Sequence, residues 1–198
     1  MLKTYAALTS TKLSPHTGFA QPAHALPERV SLEALALNVM TDLERASAVL
    51  IGPDDGIDEA NRRMIQRGIR MLLVVDPDRT VAGLITANDI LGEKPMQVIT
   101  ERGGRRQDIV VRDIMTPQER LEVLELKDVR HAMVGHIVAT LKESGRQHAL
   151  VVDTGEVGGR QRVRGLFSLT QIARQLGIAL QTSEVAHTFS EIEALLMH

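Results

Sequence analysis

A seven-residue stretch occurs twice in the chain, as GLITAND at residues 83–89 and as GLFSLTQ at residues 165–171. Both copies contain Gly, two apolar residues and a hydroxyl residue, with Asp or Gln three positions after the hydroxyl. Two further patterns precede each copy in the same order: a Met-Thr pair, and an apolar run that ends in Val-Val-Asp. They lie at residues 40–41 and 71–76 in the first half and at residues 115–116 and 148–153 in the second. Three ordered matches predict that the chain is an internal duplication.

The first copy begins with an apolar run at residues 47–51, which predicts a short strand. Apolar residues at helical spacing follow, with Gly68 placed to end the helix in the left-handed conformation. Residues 72–75 and 81–85 then predict two strands, and residues 86–91 predict a second helix. The apolar stripe of the first helix is Ile57, Ala60, Met64 and Ile65.

The second copy repeats this order. Asp128 is predicted to cap the corresponding helix and Gly145 to end it. Strands at 149–152 and 163–167 and a helix at 168–176 follow. Each unit is therefore β-α-β-β-α, and the predicted fold class is α/β (α+β), with two repeats paired in pseudo-two-fold fashion to complete one core. The apolar stripe of the second copy is Val134, Ile137, Val138 and Leu141.

These patterns predict five segments. Residues 1–27 contain scattered Pro, Ser, Thr and Gly and are predicted to be a mobile arm. Repeat 1 spans 28–92 and repeat 2 spans 109–180, with a linker at 93–108 whose arginines are expected to form a solvated face. A capping-box pattern near residue 190 predicts a C-terminal helix within 181–198.

Composition excludes several classes of protein. The 198 residues are 43% apolar and 24% charged, which is typical of a globular chain, and the formal net charge of −2 offers no basic excess for nucleic acid or an anionic membrane. Aromatic residues make up 2%, too few for base stacking. The chain has no Cys, no apolar run long enough to span a bilayer and no signal-peptide pattern, so a cytoplasmic location is predicted.

The sequence also lacks the usual catalytic signatures. There is no Gly-x-Ser-x-Gly, no P-loop and no His-Glu-x-x-His motif, and no Cys to act as a nucleophile. His131 and His136 share a predicted helix, but five positions apart they point in different directions and are not expected to share a metal. The chain is therefore predicted not to be an enzyme.

The repeated stretch has a possible chemistry of its own. A strand that ends at Ile85 and a helix that begins at Thr86 place a hydroxyl and backbone N–H groups where a phosphate could bind. Asp89, one turn later, can accept hydrogen bonds from both hydroxyls of a ribose. The alternative is a capping box that needs no ligand. In the second copy Gln171 follows Ser168, and an amide suits a diol less well, so this site is predicted to be the weaker one.

Taken together, these motifs resemble a tandem pair of cystathionine-β-synthase (CBS) domains, the Bateman module, over roughly residues 35–180. The resemblance implies a non-catalytic regulatory module that binds an adenosine ligand in the cleft between the repeats. AMP, ADP, ATP and an adenosyl derivative such as S-adenosylmethionine are the expected ligands, with no metal required. The alternative is a module of the same fold that binds no ligand and serves only protein interaction, and a third possibility is an unrecognised enzyme.

The resemblance also implies which residues line each pocket, because residues before the Val-Val-Asp strand and the leading segment of the opposite repeat contribute. Among them, Arg70 can bind a phosphate bidentately, or can be a solvated charge between helix and strand. The first nucleotide site is predicted to contain Gly83, Thr86, Asp89, Arg70, Met71, Thr116 and Leu121. The weaker second site is predicted to contain Ser168, Gln171, Gln147, His148, Thr41 and Leu43.

A target protein and a homodimer are the expected partners. Because the repeats would bury their sheets against each other, helix faces are the remaining apolar surface, and self-association would cover them. The residues predicted for this surface include Met64, Ile65, Ile137 and Leu141.

Overall fold

The computed structural model describes residues 26–155 and 160–178. The predicted N-terminal arm, apart from its last two residues, and the predicted C-terminal helix lie outside the described residues. None of the helices within the described ranges is both long enough and apolar enough to span a membrane.

The elements follow the predicted β-α-β-β-α order in both halves. The first half contains β1 (Thr41–Asp42), β2 (Leu50–Ile51), α1 (Ile57–Arg67), β3 (Met71–Val75), β4 (Val81–Thr86) and α2 (Ala87–Leu91). The second half contains α4 (Val111–Ile114), β5 (Thr116–Pro117), β6 (Val123–Glu125), α5 (Leu126–Val129), α6 (Val134–Glu143), β7 (His148–Asp153), β8 (Arg162–Ser168) and α7 (Leu169–Gln175), and α3 (Lys94–Arg102) lies between the halves.

The two long helices form where the apolar stripes predict them. Ile57, Ala60 and Met64 of α1 are buried, and Gly68 ends the helix at a φ of +61°. The predicted fourth member of that stripe, Ile65, is instead 72% exposed. All four stripe residues of α6 are buried, but its N-cap is Met133. Asp128 was the wrong N-cap, because it lies inside the short helix α5.

Two four-stranded sheets are present in the described part of the chain, and each is completed by a strand from the other repeat. Their orders are β2-β3-β4-β5 and β1-β8-β7-β6. Strand β5 pairs antiparallel with β4, with Thr116 opposite Leu84, and β1 pairs antiparallel with β8, with Thr41 opposite Leu166. The leading segment of each repeat therefore forms an edge strand in the sheet of the other repeat.

Each exchanged strand packs closely against a glycine of the strand that it pairs with. A Cβ added to Gly83 would lie 2.5 Å from the carbonyl oxygen of Thr116, and one added to Gly165 would lie 2.9 Å from the carbonyl oxygen of Thr41. Real Cβ atoms do not approach a backbone oxygen that closely. The first Gly of the repeated stretch is therefore required by the contact between strands.

Three apolar clusters hold the fold together. One lies under repeat 2 and includes Val39 and Met40 from the leading segment of repeat 1. The second lies under repeat 1 and includes Val111 and Ile114 from the leading segment of repeat 2. The third joins the two sheets, so the prediction that the repeats bury their sheets against each other is confirmed; its buried members are Met71, Leu73, Leu84 and Leu150.

Most of the predicted linker is ordered helix. Pro95 lies in the first turn of α3, where its missing N–H costs no helical hydrogen bond, and it is buried. Val98 and Ile99 pack against the core of repeat 1. The basic cluster is exposed, as predicted, but its arginines are paired: Arg102 with Asp113, Arg105 with Asp108 and Arg106 with Asp58.

Candidate functional site

A cleft of about 270 Å³ lies between the two repeats. Repeat 1 supplies the end of β4 and the start of α2, and repeat 2 supplies β5, the segment after it, and the turn from α6 into β7. The cleft has an apolar floor and a polar rim, and both repeats contribute to each. Its lining consists of Leu84, Thr86, Asn88, Asp89, Thr116, Leu121, Glu122, Gly145, Arg146, Gln147, His148 and Leu150.

Thr86 and Asp89 form a complete capping box at the start of α2. The Thr86 N–H donates to Asp89 Oδ2 at 2.8 Å, the Thr86 hydroxyl donates to the same oxygen at 2.7 Å, and the Asp89 N–H donates to Thr86 Oγ1 at 3.3 Å. The capping alternative is therefore real, but it leaves both side chains on the wall of the cleft. A cap and a ligand site are not mutually exclusive here.

The capping box uses backbone N–H groups that the sequence analysis had expected to be available for a phosphate. The N–H groups of Thr86 and Asp89 are used within the box, and the Ala87 N–H donates to the carbonyl of Arg70 at 2.9 Å. The backbone N–H groups that the sequence predicted to be free are thus largely bonded already. What the cleft retains for a ligand at this point is the carboxylate of Asp89.

Lys94 bonds to the cleft carboxylate and was missed by the sequence prediction, as were the lining residues Asn88, Glu122 and Arg146. Its Nζ lies 2.5 Å from Asp89 Oδ1 and also donates to the carbonyl oxygen of Ile114 at 2.9 Å. The Asp89 side chain is 12% exposed and that of Lys94 is 43% exposed. Lys94 was overlooked because it falls in the segment that was predicted to be a linker.

The exchanged strand brings Thr116 to the cleft, and Leu121 follows four residues after β5 ends. Both line the same cleft as Asp89, so the structure brings these two predicted residues to the predicted site. Arg70 stands beside it, with its Nη2 donating to Asn88 Oδ1 at 3.2 Å. Met71 is buried in the cluster between the sheets. Gly83 is not part of the lining, because it faces the backbone of β5.

His148 and Gln147 belong to this cleft as well, although they were assigned to the second site. They line the cleft together with Asp89 and with Arg146, which pairs with Glu122 at 3.0 Å. Burial lowers the pKa of His148 to about 4; the Arg70 guanidinium acts in the same direction and the Asp89 carboxylate opposes it. The imidazole is therefore neutral at neutral pH, where it can donate one hydrogen bond and accept another.

The structure does not bring the residues of the second predicted site together, because Gln147 and His148 line the first cleft. Ser168 stands at the N-cap of α7 but makes no side-chain cap hydrogen bond, so this pair does not form the capping box that Thr86 and Asp89 form. Gln171 Oε1 instead accepts from the Thr41 hydroxyl at 3.3 Å, and its amide nitrogen donates to Gln175 Oε1 at 3.4 Å. Leu43 packs at the margin of the cluster between the sheets.

No cluster of three or more His, Asp or Glu side chains that could hold a metal occurs within residues 26–155 and 160–178. His136 has a structural role, because its Nδ1 accepts the N–H of Met133 at 3.0 Å at the start of α6.

The shifted pKa of His148 predicts a pH dependence of stability. The unfolded histidine titrates near 6.5 and the folded one near 4, so the unfolded chain binds the extra proton in that window and stability falls as the pH drops from 6.5 towards 4. The expected loss is about 2 kcal/mol between pH 7 and pH 5, which is part of the loss over the whole window. Urea unfolding at pH 7 and pH 5 measures it. In His148→Asn, the unfolding free energy should differ less between pH 7 and pH 5 than in the natural protein. His131→Asn, at an exposed position, is the control and should keep the full difference. The same difference in all three proteins would contradict the role of His148.

Comparison with known proteins identifies the architecture. A scan against protein-family models matches residues 38–95 to the CBS domain. A CBS-domain protein of known structure from Burkholderia ambifaria is 26% identical, with a TM-score of 0.50 over 71% of this chain and 89% of that chain. The chain has the fold of a tandem CBS pair.

Other solved CBS proteins agree with this fold. The CBS-domain protein ATU1752 from Agrobacterium tumefaciens is 19% identical, with a TM-score of 0.52 over 73% of this chain and 94% of that chain. The CBS domain pair of protein MJ0100, solved in complex with 5′-methylthioadenosine and S-adenosyl-L-methionine, is 20% identical, with a TM-score of 0.51 over 73% of this chain and 96% of that one. A search of curated proteins finds no match.

Proposed function

We propose that this CBS pair is a non-enzymatic regulatory module that binds one adenosine ligand in the cleft beside Asp89 and signals its presence to a partner protein. The observation that carries the proposal is the cleft itself: the two repeats enclose it jointly, with a carboxylate on one wall and a neutral imidazole on the other. A ligand in that position contacts both repeats, so it can favour one relative arrangement of them over another.

The chemistry of the lining suits an adenosine group. Leu84, Leu121 and Leu150 provide an apolar surface for a purine ring, and the Asp89 carboxylate provides acceptors for ribose hydroxyls. The CBS pair of protein MJ0100 was solved with two adenosine derivatives, which supports a ligand of this class for the same fold. AMP, ADP, ATP and S-adenosylmethionine are the candidates, and the site as proposed requires no metal.

A ligand-free interaction module is the rival function, and two observations favour it. The Asp89 carboxylate already accepts three hydrogen bonds, and Gln171 of the second predicted site is already bonded to Thr41. If this rival is correct, Asp89 serves only to cap α2 and to hold Lys94.

Calorimetric titration with AMP, ATP, S-adenosylmethionine and 5′-methylthioadenosine tests the proposal. We expect at least one of them to bind with one site per chain, since the other predicted site has the amide of Gln171 in place of a carboxylate, and that amide is already bonded to Thr41. Thermal unfolding should confirm it, because a ligand present at a hundred times its Kd stabilises the folded state by ~2.7 kcal/mol. No binding by any of the four favours the ligand-free module, and two equal sites contradict the asymmetry between the repeats.

Self-association is part of the proposal, but the surface differs from the predicted one. Met64, Ile137 and Leu141 are buried inside their own repeats and are not available for a partner. The exposed large apolar side chains on the helices of repeat 1 and its linker are Ile65, Leu91 and Met96. We propose that these residues contribute to a homodimer; a mass of 21.8 kDa by light scattering, that of the monomer, would contradict it.

A further inference from the structure

We propose that Lys94 is a displaceable competitor for the ligand at Asp89, and that its displacement passes the ligand signal to helix α3. This inference rests on the proposed function. It follows from the position of one ammonium group, which bonds simultaneously to the cleft carboxylate and to the carbonyl oxygen of Ile114.

The hydrogen-bond capacity of Asp89 gives the first step. A carboxylate offers about four acceptor positions. Three are taken, by the Thr86 N–H, the Thr86 hydroxyl and the Lys94 ammonium. A ribose diol needs two, so one existing donor must leave before both hydroxyls can bind.

Lys94 is the donor that can leave. The Thr86 N–H is fixed because it is part of the cap of α2, and the Thr86 hydroxyl is held beside the carboxylate because its oxygen accepts the Asp89 N–H. The Lys94 ammonium stands on a flexible four-carbon stem and is 43% exposed, so water can solvate it once it moves away. Adenosine and Lys94 are therefore expected to compete for Asp89.

The local backbone keeps Lys94 close to this carboxylate. Helix α2 ends at Leu91, and the chain turns at Gly92 so tightly that a Cβ there would lie 2.6 Å from the carbonyl oxygen of Asn88. Helix α3 starts two residues later at Lys94, so the lysine faces back towards the start of α2 across this corner.

The Lys94 ammonium also connects helix α3 to helix α4, so its displacement should weaken that connection. Two ties of α3 to α4 are the bond from Lys94 to the Ile114 carbonyl and the pair between Arg102 and Asp113 at 2.5 Å. Helix α4 leads directly into β5, whose Thr116 lines the cleft. Loss of the Lys94 tie should therefore loosen the first turns of α3 while the Arg102 tie remains.

Calorimetry with adenosine and 2′-deoxyadenosine tests the competition. Both probes are uncharged, so no phosphate attracts the lysine. Removing an exposed ion pair of this kind should make adenosine bind about two- to fivefold more tightly to Lys94→Met than to the natural protein. For 2′-deoxyadenosine, whose remaining 3′ hydroxyl fits the free acceptor position, the gain should disappear. Lys94→Arg, which keeps the charge, should show no gain with either probe.

Arg102→Met is the matched control, since it cuts the other tie of α3 to α4 without touching the cleft. Its adenosine affinity should equal that of the natural protein. Hydrogen exchange gives a second measurement. Adenosine should speed exchange of the α3 amides in the natural protein and in Arg102→Met. It should not do so in Lys94→Met, because those amides already exchange faster there.

The outcomes separate this inference from the proposed function. One outcome overturns only the competitor role. In it, adenosine binding to the natural protein depends on Asp89, but Lys94→Met binds with the same affinity and adenosine does not change hydrogen exchange in α3. The ligand site would then stand. If neither the natural protein nor Lys94→Met binds any adenosine compound, both fall. Binding by Lys94→Met alone supports both.

Discussion

Asp89→Asn is expected to weaken adenosine binding by ~1.5–3 kcal/mol, about tenfold to more than a hundredfold in Kd. The amide retains one acceptor oxygen and presents a donor where a ribose hydroxyl needs an acceptor, and it removes the negative charge that strengthens these hydrogen bonds. Calorimetry on the natural protein and the variant measures the difference, and 2′-deoxyadenosine should lose part of this energy without any mutation.

Asp113→Asn is a closely matched control. Asp113 accepts the Val110 N–H at 3.0 Å in a capping arrangement, pairs with Arg102 at 2.5 Å and is 14% exposed, almost the environment of Asp89. It lies outside the cleft, so its variant should lose a comparable cap and ion pair and still bind adenosine normally. Equal affinity for all three proteins would mean that Asp89 is only a helix cap.

Gly83→Ala should destabilise the fold by ~3 kcal/mol. Its Cβ would lie 2.5 Å from the Thr116 carbonyl oxygen and 3.0 Å from the sulfur of Met115. The sulfur belongs to a flexible side chain and can move, but the carbonyl belongs to the backbone of β5, so the exchanged strand must shift. Urea unfolding measures the loss, and since Thr116 lines the cleft, ligand affinity should fall with it.

Gly56→Ala provides the comparison. No atom lies within 4 Å of the position a Cβ would take there, and the φ of −67° suits any residue. Its cost should stay within ~1 kcal/mol, the scale of an altered N-cap. If Gly83→Ala costs no more than Gly56→Ala, β5 is not held against β4 as closely as described.

The sequence predicted the local elements well because local chemistry specifies them. The stripe of α6, the left-handed Gly68, and the hydroxyl and carboxylate of Thr86 and Asp89 each act within a few residues, and the structure shows all of them as predicted. The β-α-β-β-α order of each repeat follows from the same signals. The pairing of the two sheets was expected from the resemblance to tandem CBS domains, and the structure shows it.

The errors arose where distant residues decide the outcome. Pro95 and the following glycines suggested a linker, yet Pro is tolerated in a first helical turn and the core of repeat 1 stabilises α3. Ile65 fits the stripe but faces solvent, since the core ends at Met64. The assignment of His148 to the second site, and the omission of Lys94 from the first, depend on how the repeats meet, which no local pattern encodes.

Because the leading strands are exchanged, neither sheet can be completed during synthesis until part of the second repeat has been translated. When residue 92 leaves the ribosome, the first sheet still lacks β5, and β1 has no partner until β8 has been made. The bond between Thr41 and Gln171 joins residues 130 positions apart, so it is among the last contacts that can form. A chain cut between the repeats would yield two fragments, each holding a strand that belongs to the other. The unit that repeats in the sequence is therefore not the unit that folds, and the cleft between the repeats can form only after both have been translated.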